Sequence, residues 1–147
     1  MKRCVIAGMA ALLLAPVVFA ANPASYQAAL KEAQLEKRPL LVLVGATWCP
    51  GCQTMKKAVL PSLEREGGMK AVSYVTVDAD TEREVARQLM RGNAIPQLIV
   101  FAKTPAGEWH REQITGETSA AEVKSLIARA VSAQTAGDVT PAGAIGN

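Results

Sequence analysis

Thr47-Trp48-Cys49-Pro50-Gly51-Cys52 sits between an apolar run, Leu40 to Val44, and a segment of helical character from Gln53 to Glu66. Two cysteines two residues apart, the first at a helix start, form a small reversible disulfide pair. A helix N-terminus presents unpaired N–H groups and the positive end of the macrodipole, so it favours a thiolate over a thiol. The pattern therefore predicts a Cys49 sulfur that ionises more readily than a free thiol. Pro50 falls in the first helical turn, where its missing N–H is not needed. Gly51 adds no side chain and leaves the rim beside Cys49 open. A structural zinc site commonly takes two such cysteine pairs, or one pair plus two histidines, but outside this pair the chain offers a lone Cys4 and a single histidine, His110. A purely structural bridge is equally poor, because so short a loop restrains little of the unfolded chain.

The rest of the composition suits one catalytic domain. The 147 residues are enough for a real core in a single domain. Residues 1–20 read as a signal peptide: Lys2-Arg3, then an apolar stretch from Cys4 to Ala15, then Pro16 and small residues leading to cleavage after Ala20. The competing reading is an uncleaved anchor, but the run is short for a span and interrupted by proline. Cleavage would remove Cys4 and leave only the reactive pair. It would also remove Lys2 and Arg3, which carry two of the three excess positive charges. No basic stripe interleaved with aromatics remains to suggest nucleic acid. Exported proteins usually spend cysteines on structural bridges, so a chain that keeps one reactive pair suits a catalyst in a periplasmic or otherwise exported setting.

Residues 21–131 read as the folded domain and residues 132–147 as a disordered tail, small and turn-rich. Within the domain, Asn22 to Ser25 open a helix running to Lys37, with Tyr26, Leu30, Ala33 and Leu35 as its apolar stripe. Leu40 to Val44 has the unbroken apolar pattern of a strand covered on both faces. The helix after the cysteines should kink or break at Pro61. A second strand is expected over Ala71 to Val77, then a helix opened by a Thr81/Glu84 capping box. Gln97 to Phe101 is a third strand, and Glu108 to Ile114 should return as an antiparallel edge after the turn at Pro105-Ala106-Gly107. Ser119 caps a last helix that buries Val123, Leu126, Ile127 and Ala130. Strands separated by helices imply parallel pairing by right-handed crossover, with antiparallel edges added by the final hairpin.

From about residue 24 to 131 the chain resembles the thioredoxin family. The resemblance rests on Trp48-Cys49-Pro50-Gly51-Cys52 together with Ile95-Pro96 before a strand and hairpin. It implies an α/β thioredoxin-like fold: a four-stranded mixed sheet flanked by about four helices and lacking the family's usual first strand. It further implies that Cys49 is the nucleophile, that Cys52 resolves the mixed disulfide, and that Pro96 is cis beside the sulfurs. Ile95 would then offer its backbone to an extended partner segment, with Trp48, Pro50 and Gly51 completing the contact surface. Two departures matter. Leu43 stands where thioredoxins commonly place a buried acid, so the proton of Cys52 needs another acceptor. The dipeptide is Pro-Gly rather than Gly-Pro, so the redox potential does not carry over.

Taken together, the sequence predicts an exported thiol–disulfide oxidoreductase, without cofactor or metal, acting on disulfide-containing proteins. Reduction is the favoured direction, because the chain resembles exported reductases such as those serving cytochrome c maturation. A membrane thiol carrier would supply the electrons, and the protein would work as a monomer. Two alternatives stand beside it: a disulfide-donating oxidase or isomerase, and a binding or chaperone module that kept the fold. Lys56, Lys57 and His110 are expected on the solvated surface, and Asp78 and Asp80 in a strand-end turn rather than a metal site.

Overall fold

The computed structural model describes residues 25–136. Ser25 caps helix α1 (Tyr26–Leu35) by accepting the Ala28 N–H. Strand β1 (Leu40–Gly45) follows, then the helix that begins at the cysteines. This motif helix has three parts: α2 (Pro50–Thr54), a π-helical turn (Met55–Val59) and α3 (Leu60–Arg65). Strand β2 (Ser73–Asp78), helix α4 (Arg83–Leu89), the hairpin β3 (Gln97–Lys103) and β4 (Trp109–Thr115), and helix α5 (Ala120–Thr135) complete the order.

The four strands form one mixed sheet in the order β2-β1-β3-β4. β1 pairs parallel with β2 and antiparallel with β3. Parallel pairing of every helix-separated strand was the expectation, and β3 departs from it. The reason is the shortness of α4. Its seven residues rise only about 10 Å, half the length of a six-residue strand. The chain therefore re-enters the sheet at the end where β2 left it, with Gln97 beside Val44 and Asp78 beside Gly45.

β1 is buried along its whole length. Its residues alternate between two cores, as a strand's pleat requires. Leu41 and Leu43 join Met55, Leu98 and Leu126 on the α3/α5 side, while Leu40, Val42 and Val44 join Val77, Leu89 and Ile99 on the α1/α4 side.

Local corrections follow from packing and capping. In α1 Ala29 and Ala33 are buried and Tyr26 and Leu30 pack half-buried against the same core, while Leu35 lies in solvent. The motif helix changes pitch one turn before Pro61. Pro61 has no N–H to donate back, and the Leu60 N–H reaches Met55 O five residues earlier. The Thr81/Glu84 capping box does not form. Asp78 Oδ1 accepts the Asp80 and Thr81 N–H groups, α4 starts at Arg83, and Glu84 pairs with Arg87 instead. A full capping box is present at Ser119 and Glu122. Helix α5 runs on through Thr135, past the expected domain edge at 131. His110 is half-buried rather than exposed, its ring nitrogen 2.9 Å from Glu112 Oε1. The expected signal peptide and residues 137–147 of the expected tail lie outside the described residues.

Candidate active site

The end of the sheet where β1 and β2 finish and β3 starts carries the reactive groups. Cys49 is the N-cap of α2, in extended backbone, with Pro50 in the first turn. Cys49 and Cys52 form a disulfide with their Cα atoms 5.2 Å apart. Cys49 Sγ also accepts the Cys52 N–H at 3.2 Å, so a sulfur fills the place of a capping oxygen. Both cysteines are buried, at 6% and 4% exposure, so exposure does not tell them apart. Their surroundings do. Cys52 lies against the bare backbone of Gly45, where a Cβ would approach its sulfur to 2.9 Å.

Ile95 and Pro96 close the other side. The Ile95–Pro96 peptide bond is cis. Ile95 packs against Ala46 and the two cysteines, and Pro96 Cδ lies 3.4 Å from where a Cβ on Gly51 would stand. The loop that delivers this proline is held by Gln97. Its fully buried amide accepts the Arg91 N–H at 3.0 Å and donates to Arg91 O at 3.1 Å and Ala94 O at 2.9 Å. Gly116 N–H donates to Pro96 O at 2.8 Å, which ties the loop after β4 to the same proline. Gly116 has φ +96°, a conformation that favours glycine.

Trp48 stands out from this surface, 68% exposed, and its indole N–H donates to Asp80 Oδ2 at 2.8 Å. Behind Cys52 lies a cavity of about 130 Å³ lined by Leu43, Thr76, Lys56, Asp78 and Glu82 among others. Glu82 Oε2 accepts the Asp78 N–H at 3.0 Å. Lys56 and Lys57 are both exposed, and Lys56 faces this cavity while Lys57 does not line it. Among the described residues no group of three or more His, Cys, Asp or Glu gathers as metal ligands would.

All seven residues singled out from sequence, Trp48, Cys49, Pro50, Gly51, Cys52, Ile95 and Pro96, thus lie at one end of the sheet. Sequence reasoning missed Gly45, Gln97 and Glu82. Gln97 alone left a signal: a polar residue heading an otherwise apolar strand needs buried partners.

A mixed thioredoxin-type sheet with a Cys-x-x-Cys disulfide at a helix start, facing a cis-proline, defines a thiol–disulfide oxidoreductase. A family model described as thioredoxin-like matches residues 21–103, and the chain belongs to that family. It is 29% identical over 115 residues to the thiol:disulfide interchange protein DsbD 1 of Pseudomonas aeruginosa, covering 77% of this chain and 20% of the relative. A DsbD from a Pseudomonas species is 26% identical over 101 residues, covering 67% and 18%. The chain therefore spans about a fifth of the length of these relatives. Among solved structures, a thioredoxin from Thermus thermophilus superimposes with a TM-score of 0.63 at 26% identity, covering 82% of this chain and 95% of that one. A thioredoxin from Trichomonas vaginalis gives 0.53 at 26% identity, covering 70% and 88%.

Proposed function

We propose that the protein is exported and reduces disulfides in partner proteins through a Cys49/Cys52 dithiol–disulfide cycle. The observation that carries the dithiol–disulfide cycle is the Cys49 sulfur in the N-cap position of α2, accepting a helix N–H; the reductive direction rests on the resemblance to exported reductases. A thiolate formed there is stabilised by the same donor and by the helix dipole. Cys49 is accordingly the nucleophile, and Cys52, walled by Gly45, is the resolving thiol.

In the reduced protein the Cys49 thiolate attacks one sulfur of a partner disulfide. The partner's other sulfur leaves as a thiolate and takes a proton from solvent. Cys52 then loses its proton and attacks Cys49 Sγ, which breaks the mixed disulfide and releases the second partner thiol. Two electrons pass to the partner, and the Cys49–Cys52 disulfide remains. With Leu43 apolar and buried, the proton of Cys52 has its way out through the adjoining cavity, which Asp78 and Glu82 both line. Ile95, next to the cis peptide, pairs with the partner's extended segment, and Trp48, Pro50 and Gly51 form the rest of the contact.

Export is supported by Lys2-Arg3, the apolar run after it and the small residues before Ala21. No described helix is long and apolar enough to cross a membrane. Electrons would then come from a membrane thiol carrier, a setting in keeping with relatives named for thiol:disulfide interchange. The decisive experiment has three arms. Cys52→Ser should stall mixed disulfides on Cys49 in extracts, and Cys49→Ser should abolish insulin-disulfide reduction. Equilibration with glutathione should give a strongly reducing potential. A value near about −120 mV, the oxidising extreme of the family of such pairs, would make the protein a disulfide donor.

A further inference from the structure

We infer that Glu117 selects partners that carry a lysine or arginine beside the reactive cysteine. The inference rests on the reductase reading above and names the partner chemistry for that same surface.

Glu117 is held in place from both sides. The residue before it, Gly116, donates its N–H to Pro96 O at 2.8 Å. The residue after it, Thr118, donates its N–H to Met55 Sδ at 3.5 Å, and the Thr118 hydroxyl is bound by Glu122 at the start of α5. Glu117 is therefore fixed between the cis-proline and the motif helix. Its side chain lies along Gly51: Oε2 is 3.4 Å and Cβ 3.5 Å from where a Cβ on Gly51 would stand, and Pro96 Cδ is 3.4 Å from that same point. A carboxylate thus borders the patch that a partner segment on Ile95 would cover. Asp80, the carboxylate beside Trp48, already accepts the indole N–H. Glu117 is exposed and belongs to none of the ion pairs formed among the described residues.

An unpaired charge on the rim of a contact surface steers encounter and penalises a like charge brought against it. A partner with a cation next to its cysteine supplies the missing counter-ion, whereas one with an acid there meets repulsion. A rim charge of this exposure changes a rate by about 1.4- to fivefold, the equivalent of 0.2–1 kcal/mol.

The test compares two disulfide-linked peptides that differ only in Lys or Glu beside the cysteine, with neutral hydroxyethyl disulfide as a third substrate. The reduced protein should react roughly two- to fivefold faster with the Lys peptide at low salt, and the ratio should shrink towards one as salt screens the charge. Glu117→Gln should lower the ratio, and Glu117→Lys should invert it. An unchanged ratio in both variants would overturn the inference and leave the reductase reading standing. Failure of the wild-type protein to reduce even hydroxyethyl disulfide would overturn both.

Discussion

Gly45 and Cys52 meet at van der Waals limits: a Cβ added to Gly45 would stand 2.9 Å from both Cβ and Sγ of Cys52. The contact joins the end of β1 to the first turn of the motif helix with no side chain between. Gly45→Ala should force the helix start away from the strand, at a stability cost of about 1–3 kcal/mol, typical of overpacking a dense site. Insulin reduction should slow as well, because the two sulfurs would no longer sit in register. Unchanged thermal unfolding and unchanged turnover would show that the helix start has room to move.

Gln97 fastens the loop that carries Pro96. Gln97→Leu keeps the volume but leaves the Arg91 N–H and the Arg91 and Ala94 carbonyls without their partner. Arg91 and Ala94 are exposed residues whose freed groups can turn to water, so the loss should be about 1–2 kcal/mol in all. Chemical denaturation should report that loss, together with a fall in kcat/KM for protein disulfides. Gln97→Glu should not rescue it, since a carboxylate has no N–H to give.

The exposed indole of Trp48 is oriented by one bond, to Asp80. Asp80→Ala should free the ring, with less than about 1 kcal/mol lost in stability because the bond is exposed. KM for protein substrates should rise, and tryptophan fluorescence anisotropy should fall. Asp80→Asn keeps an acceptor and should restore most of the affinity.

Acid should loosen the joint between β4 and α5. Burial pushes the Glu112 carboxyl up, but its hydrogen bonds to His110 and Arg129 outweigh this and hold it below the usual carboxylate range. Glu122 is held low too, first by the Thr118 hydroxyl and then by Ser119. A carboxyl that titrates lower when folded stabilises fully above its unfolded value, and that contribution is lost as pH falls through the folded value. Thermal unfolding should therefore be flat near neutrality and drop below about pH 4.5. Glu112→Gln should flatten that acid slope. A slope identical to wild type would show that these bonds carry no linkage.

The stretch from Thr47 to Cys52, with Ile95-Pro96, announced the family and the reacting atoms, because a redox pair needs two thiols at fixed spacing on a helix start. The unbroken apolar run of β1 likewise announced a strand covered on both faces. These are local properties, written in neighbouring residues. The antiparallel course of β3, the Gly45–Cys52 contact, the buried Gln97 amide and the placement of Glu117 against Gly51 join residues far apart in the chain. Each depends on how strands and loops of given length come together in space, so no local pattern encodes it. Sequence by itself determined which atoms react; only the tertiary structure decided what surrounds them, because packing distances are set by the whole sheet and its covering helices.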